Sequence, residues 1–111
     1  TFGDKEPVVS RPGEVILMDS FSMGFTPNVI IAEVGKEISI NINNIDISHS
    51  FDLDEFNVHV YLPSATKVMV NFTPDKVGEF IFFCNIPGHT EAGMRGRLII
   101  VESIDEYLGK K

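Results

Sequence analysis

Cysteine is nearly absent: the 111 residues contain one, Cys84. An intrachain disulfide is therefore excluded, and the redox compartment cannot be read from cystines. Long apolar runs are missing too. The longest, Phe80-Ile81-Phe82-Phe83-Cys84, falls far short of the roughly 20 residues that a spanning helix needs. Basic residues are scarce, with 9 Lys and Arg against 16 Asp and Glu and a net charge of −7. Phosphate backbones are bound by clustered Lys and Arg, so nucleic acid is excluded as an expected partner. An acidic surface keeps a protein soluble and speeds its encounter with basic partners. No repeat, low-complexity block, linker or secretory signal is visible. The first residue is Thr1 rather than Met, as expected of a processed form or an excised soluble piece of a longer protein. A content of 43% hydrophobic and 23% charged residues excludes disorder and fits one globular domain over residues 1–111.

What is there is a succession of short extended segments. Residues 15–18 and 29–32 are apolar runs that follow the turn signals Pro12-Gly13 and Thr26-Pro27-Asn28. Ile38, Ile40 and Ile42 alternate with Ser39, Asn41 and Asn43, the period of a strand with one buried face. Asn43-Asn44 and Asp46 then read as a turn. Residues 48–53 and 57–62 are two further candidates, and Pro63-Ser64 breaks the chain. Val68, Val70 and Phe72 alternate again, and residues 73–78 read as a turn. Phe80, Phe82 and Cys84 share one face of the next strand, with Ile81 and Phe83 on the other. Residues 98–101 form the last strand. Residues 103–108 are expected to make a closing helical turn, with Ser103 as N-cap and Glu106 at the capping-box position. Strands at spacings near ten residues, with no helix-length amphipathic segment for a βαβ unit, predict an antiparallel sandwich or barrel.

The chemistry is concentrated in residues 83–96, Phe-Cys-Asn-Ile-Pro-Gly-His-Thr-Glu-Ala-Gly-Met-Arg-Gly. The stretch lies between two predicted strands and carries Gly88, Gly93, Gly96 and Pro87, a composition suited to a tight irregular loop. Four residues separate Cys84 from His89, and four separate His89 from Met94; His49 lies 35 positions before Cys84. Taken singly, each has an ordinary structural role. Cys84 can be a small core hydrophobe, His49 a satisfied histidine beside Phe51, His89 a solvated loop residue and Met94 a gap-filler. Taken together, a thiolate, two imidazoles and a thioether are the donor set of a mononuclear electron-transfer copper site, in which two His and one Cys lie in a plane with a weak axial Met. Soft sulfur suits Cu(I) and nitrogen suits Cu(II). A rigid compromise between them moves little when the electron arrives.

At these residues the sequence resembles the cupredoxins, the blue or type 1 copper family, over residues 15–101. The likeness is strongest in the loop from Cys84 to Gly96 and extends to the His-Ser-Phe stretch at His49. These stretches resemble a small single-domain group that includes sulfocyanin-like proteins, and they are also similar to nitrosocyanin and to the copper domain of cytochrome oxidase subunit II. The resemblance implies a Greek-key antiparallel β-sandwich or barrel of seven to eight strands. It implies one copper ion held by His49, Cys84, His89 and the axial Met94. It also implies that His89 is a partly exposed electron port within an apolar patch of Ile86, Pro87 and Ala92. Ser50 would brace the ligand loops, and Asn85 would place a hydrogen bond near the sulfur, where such bonds tune potential.

The departures narrow the function. A dinuclear entry site as in oxidase subunit II needs two bridging cysteines. Copper nitrite reductases and multicopper oxidases need a histidine beside the type 1 cysteine, where this chain has Phe83 and Asn85. Nitrosocyanin places a carboxylate where this chain has His49. The expectation is therefore a carrier of single electrons and not an enzyme. Such a carrier would be monomeric and would dock near His89 on a basic c-type cytochrome or a terminal oxidase. By resemblance it would work in the periplasm or outside the cell, anchored to a membrane in the full-length protein. A copper storage or delivery module would use the same donors, although Met18, Met23 and Met69 do not cluster with the loop. A structural zinc site and a metal-free adhesion sandwich are further alternatives; thioether is a poor zinc donor. His59, between Val58 and Val60, reads as a surface or structural histidine, and Glu91 as solvated. Asp46, Asp52, Asp54 and Glu55 cluster near His49 in sequence.

Overall fold

A computed structural model describes residues 7–89 and 91–109; Thr1 lies outside them. Among the described residues ten strands run in chain order: β1 Val8–Val9, β2 Val15–Phe21, β3 Gly24–Thr26, β4 Val29–Glu33, β5 Ile38–Asn44, β6 His49–Leu53, β7 Val58–Leu62, β8 Thr66–Phe72, β9 Gly78–Phe83 and β10 Arg95–Val101. A 3-10 turn, Asp54–Phe56, links β6 to β7, and one helical turn, α1 Ile104–Tyr107, follows β10. The strands form a six-stranded sheet in the order β1-β4-β10-β9-β6-β7 and a four-stranded sheet in the order β3-β2-β5-β8. The all-β sandwich expected from the alternation is thus the fold. Two short strands, β1 and β3, lack enough residues to show a period and went unread.

Three pairings are parallel, β1 with β4, β10 with β4 and β2 with β5, where the pattern predicted antiparallel neighbours throughout. The run Val29-Ile30-Ile31-Ala32 shows why: all four are buried, as expected of a strand flanked by parallel neighbours and covered on both faces. The helical turn contributes to the cover, since Ile104 is buried and its N–H donates to Glu33 Oε1. Its cap is as expected, with Ser103 Oγ accepting from the N–H of Glu106.

Between the sheets, Ile16, Met18, Ile38, Ile40, Ile42 and Val70 from one face Ile30, Phe51, Leu53, Phe82, Leu98 and Ile100 from the other. Each fully buried aliphatic side chain contributes roughly 1.5–3 kcal/mol. Phe25, Phe51 and Phe82 meet at centroid distances of 5.1–6.0 Å in tilted and edge-to-face contacts and form a stiff apolar floor. Cys84 belongs to the same buried cluster.

The expected turn at Asn43-Asn44 is instead the end of β5. The alternation of Ile38, Ile40 and Ile42 continues inward to Asn44, which is fully buried. Its amide stays because both its oxygen and its NH2 group are hydrogen-bonded. Asn44 Oδ1 accepts from Ser20 Oγ at 2.9 Å, and Nδ2 donates to the carbonyls of Ile47, Leu62 and Pro63 at 2.8–3.0 Å. A buried amide of this kind costs a great deal to leave unsatisfied, so it pins residues 45–48 against β2 and the end of β7. The next residue after that segment is His49.

Candidate metal centre

His49 opens β6 and is fully buried. Cys84 follows β9 immediately, continues the inward phase of Phe80 and Phe82, and is also fully buried. His89 lies on the following loop and keeps part of its surface exposed. The loop is folded by its own composition. His89 N–H donates to Ile86 O at 3.0 Å across Pro87-Gly88, and Gly88 has φ 87°, the arrangement of a type II turn with Pro and Gly in their preferred places. The loop then closes on itself. Met94 N–H donates to His89 O at 2.9 Å, and Met94 O accepts from Cys84 N–H at 3.2 Å. Gly96 lets β10 pass against β9, because a Cβ there would sit 2.3 Å from the Phe82 ring and 2.5 Å from Asn28 O.

Three donor atoms converge. Cys84 Sγ lies 3.5 Å from His89 Nδ1 and 3.9 Å from His49 Nδ1, and the two Nδ1 atoms are 3.3 Å apart. The circle through these atoms has a radius of about 2.1 Å, close to the roughly 2.0 Å and 2.3 Å of imidazole and thiolate bonds to zinc, a first-row ion of similar size. Among the described residues this is the only group of three or more His, Cys, Asp or Glu side chains with metal-holding geometry. A thiol and two imidazoles at this spacing, sealed by an apolar floor, fit a soft or borderline metal ion. The residues present therefore fit copper. Met94 is fully buried in the same cluster as Cys84.

Around the three atoms lies a layer of hydrogen bonds, part of which the sequence anticipated. Ser50 Oγ accepts the N–H of Asn85 at 2.8 Å, so Ser50 does join the β6 segment to the cysteine loop. The bond seen for the Asn85 N–H thus goes to a hydroxyl. Ser50 Oγ in turn donates to Asp52 Oδ2, and Asp52 Oδ1 accepts from His59 Nδ1 at 2.8 Å. Asp52 is 2% exposed and His59 50% exposed, so His59 is a surface histidine tied to a buried carboxyl.

The acidic residues that cluster near His49 in sequence stand in different surroundings. Asp52 is interior, Glu55 pairs with Lys76, and Asp46 stands directly behind His49. Asp46 Oδ1 lies 2.8 Å from His49 Nε2, and Oδ2 accepts the N–H of Ser22 at 2.9 Å. Burial works to raise the pKa of Asp46, but the Ser22 N–H and the His49 ring outweigh it and hold the carboxyl below its usual range. Sequence reading missed the roles of Asp46 and Asn44. The only local signal was an acid three positions before the histidine in a turn.

No curated protein matches the chain in sequence. Similar solved structures include the Cu(I)-bound metal binding domain of the Cu(I)-exporting P-type ATPase CopA of Streptococcus pneumoniae D39, with a TM-score of 0.73, 18% identity, and coverage of 87% of this chain and 97% of that one. Reduced auracyanin from Roseiflexus castenholzii aligns with a TM-score of 0.69 and 14% identity over 82% of this chain and 99% of its own. The periplasmic domain of cytochrome oxidase subunit II (CoxB) of Bradyrhizobium japonicum aligns with a TM-score of 0.67 and 18% identity over 89% and 91%. At these identities the likeness is one of fold. Among the described residues no helix is long and apolar enough to cross a membrane. The family model for the Cupredoxin-like domain matches residues 9–100, and with most of its length inside that match the chain belongs to the cupredoxin-like family.

Proposed function

We propose that His49, Cys84, His89 and Met94 hold one copper ion in a type 1 site, and that the protein carries single electrons between redox partners. The observation behind this reading is the triangle of one sulfur and two Nδ1 atoms, with edges of 3.3–3.9 Å, on a sandwich core. Copper supplies one-electron exchange between Cu(I) and Cu(II). The chain's part is to hold the donors still. His49 is fixed at the head of a buried strand, Cys84 just past the end of β9, and Met94 by backbone bonds to both Cys84 and His89. His89 is the donor nearest solvent and is the exit for the electron. Ile86, Pro87 and Ala92 flank it in the loop and form the docking patch. An acidic carrier of this kind suits a basic partner such as a c-type cytochrome or an oxidase outside the cytoplasm.

Adding Cu(II) to the metal-free protein is expected to produce an intense visible thiolate-to-copper band that a mild reductant bleaches and an oxidant restores. A colourless copper-loaded protein overturns the reading. Met94→Leu is expected to keep the colour and raise the reduction potential, because an axial sulfur donor is lost; an unchanged potential removes Met94 from the ligand set. A storage or delivery role would use the same donors. It is distinguished by ready passage of Cu(I) to an acceptor, where a carrier cycles repeatedly and retains its metal.

A further inference from the structure

Behind His49 stands a carboxylate that turn formation alone does not require. Residues 45–48 need a turn-forming side chain at position 46, and Asn serves turns as well as Asp. The two oxygens of Asp46, however, each meet a donor: Oδ1 faces His49 Nε2 at 2.8 Å and Oδ2 faces the Ser22 N–H at 2.9 Å. An asparagine could turn its carbonyl to only one of them, and its NH2 would then face the other, donor against donor. Asp46 is also held firmly. Its backbone carbonyl accepts from Ser64 Oγ at 2.7 Å and from the N–H of Ala65 at 3.1 Å, and Asn44 anchors the adjoining Ile47 carbonyl. The side chain is 37% exposed, yet it points at a histidine that is fully buried.

We infer that Asp46 is a positioning residue for the metal centre: it holds His49 in the tautomer whose bare Nδ1 faces Cys84 and His89, and it sets a negative charge behind that imidazole. A carboxylate can only accept, so the proton of the neutral ring resides on Nε2. Nδ1, 3.9 Å from Cys84 Sγ and 3.3 Å from His89 Nδ1, then offers a lone pair to the centre. A carboxylate behind a ligand imidazole raises the basicity of the ligand, which favours the more highly charged metal state. The inference rests on the copper reading for its effect on potential, whereas the tautomer is a property of the metal-free protein.

The test has two arms. In metal-free wild-type protein, labelled with 15N and held at mildly alkaline pH, the imidazole nitrogen shifts of His49 are expected to report the Nε2–H tautomer. A predominant Nδ1–H form overturns the inference, with no variant needing to fold. In copper-loaded Asp46→Asn and Asp46→Ala, affinity for Cu(II) relative to Cu(I) is expected to fall about 10- to 100-fold. That is a rise of about 60–120 mV in potential, at 59 mV per decade for one electron. A potential unchanged in both variants overturns it as well. If copper yields no visible band even in the wild type, the copper reading falls, and the tautomer measurement still decides the role of Asp46.

Discussion

His49 lies at the head of a buried strand, in a segment held by Asn44 and Asp46 through bonds that reach residues 18 to 24 positions away. His89 lies on a loop of glycine and proline whose backbone bonds span two to ten positions, with Asn85 N–H to Ser50 Oγ as its tie to β6, and it keeps some surface in contact with solvent. One donor is thus fixed mainly by distant parts of the sandwich and the other mainly by its own loop. Rigidity at a metal site does not demand the same device on every side. A donor that must meet solvent or a partner is best placed on a self-contained loop, and a donor that must not move is best placed where the core and its buried polar clamps converge.

The largest expected contrast comes from deleting each imidazole. In copper-loaded His89→Gly, added free imidazole is expected to restore the visible band, because the vacated place opens towards solvent. In His49→Gly it is expected not to, because that place is sealed. Rescue in both variants, or in neither, would erase the difference between the two sides.

Next in size is the clamp itself. Asn44→Ala removes the amide that meets the Ser20 hydroxyl and the carbonyls of Ile47, Leu62 and Pro63, of which Pro63 O keeps Thr66 Oγ1, and chemical denaturation should show a loss of about 3 kcal/mol. A loss below about 1 kcal/mol would mean that the turn before His49 is held by other contacts. The loop should respond far less. Gly88→Ala meets nothing within 4 Å of its new Cβ, so only the positive φ opposes it, at about 1 kcal/mol. A comparable or larger loss than in Asn44→Ala would show that the loop, not the clamp, is the more tightly determined side.

Much of the molecule was legible along the chain. Ile38, Ile40 and Ile42 declare a half-buried strand, and Phe80, Phe82 and Cys84 place the thiol on the core side before any fold is known. The Pro87-Gly88 pair declares the turn that presents His89, and Ser103 declares its cap. The polar residues that pin the site were harder to see. Asn44 reads locally as a turn former, yet it is a core residue whose four partners lie three to 24 positions away. Asp52 reads as one of four acids clustered along the chain near His49, and it is buried between Ser50 and His59. A polar side chain belongs in a core only when distant groups saturate it, and the distant groups are the part that no local pattern contains.

By itself, then, the order of amino acids determined most of the longer strands, the inward face of those that alternate, and which donor types stand at workable intervals, because these follow from the two-residue period and from side-chain chemistry. Only the tertiary structure decided which strands lie side by side and in what sense, that His49 crosses 35 positions to meet Cys84, and that Asp46 stands behind it. Period two tells a strand which way its side chains face but not which strand is its neighbour, and a triangle a few ångströms across is settled only when two sheets close on a common core.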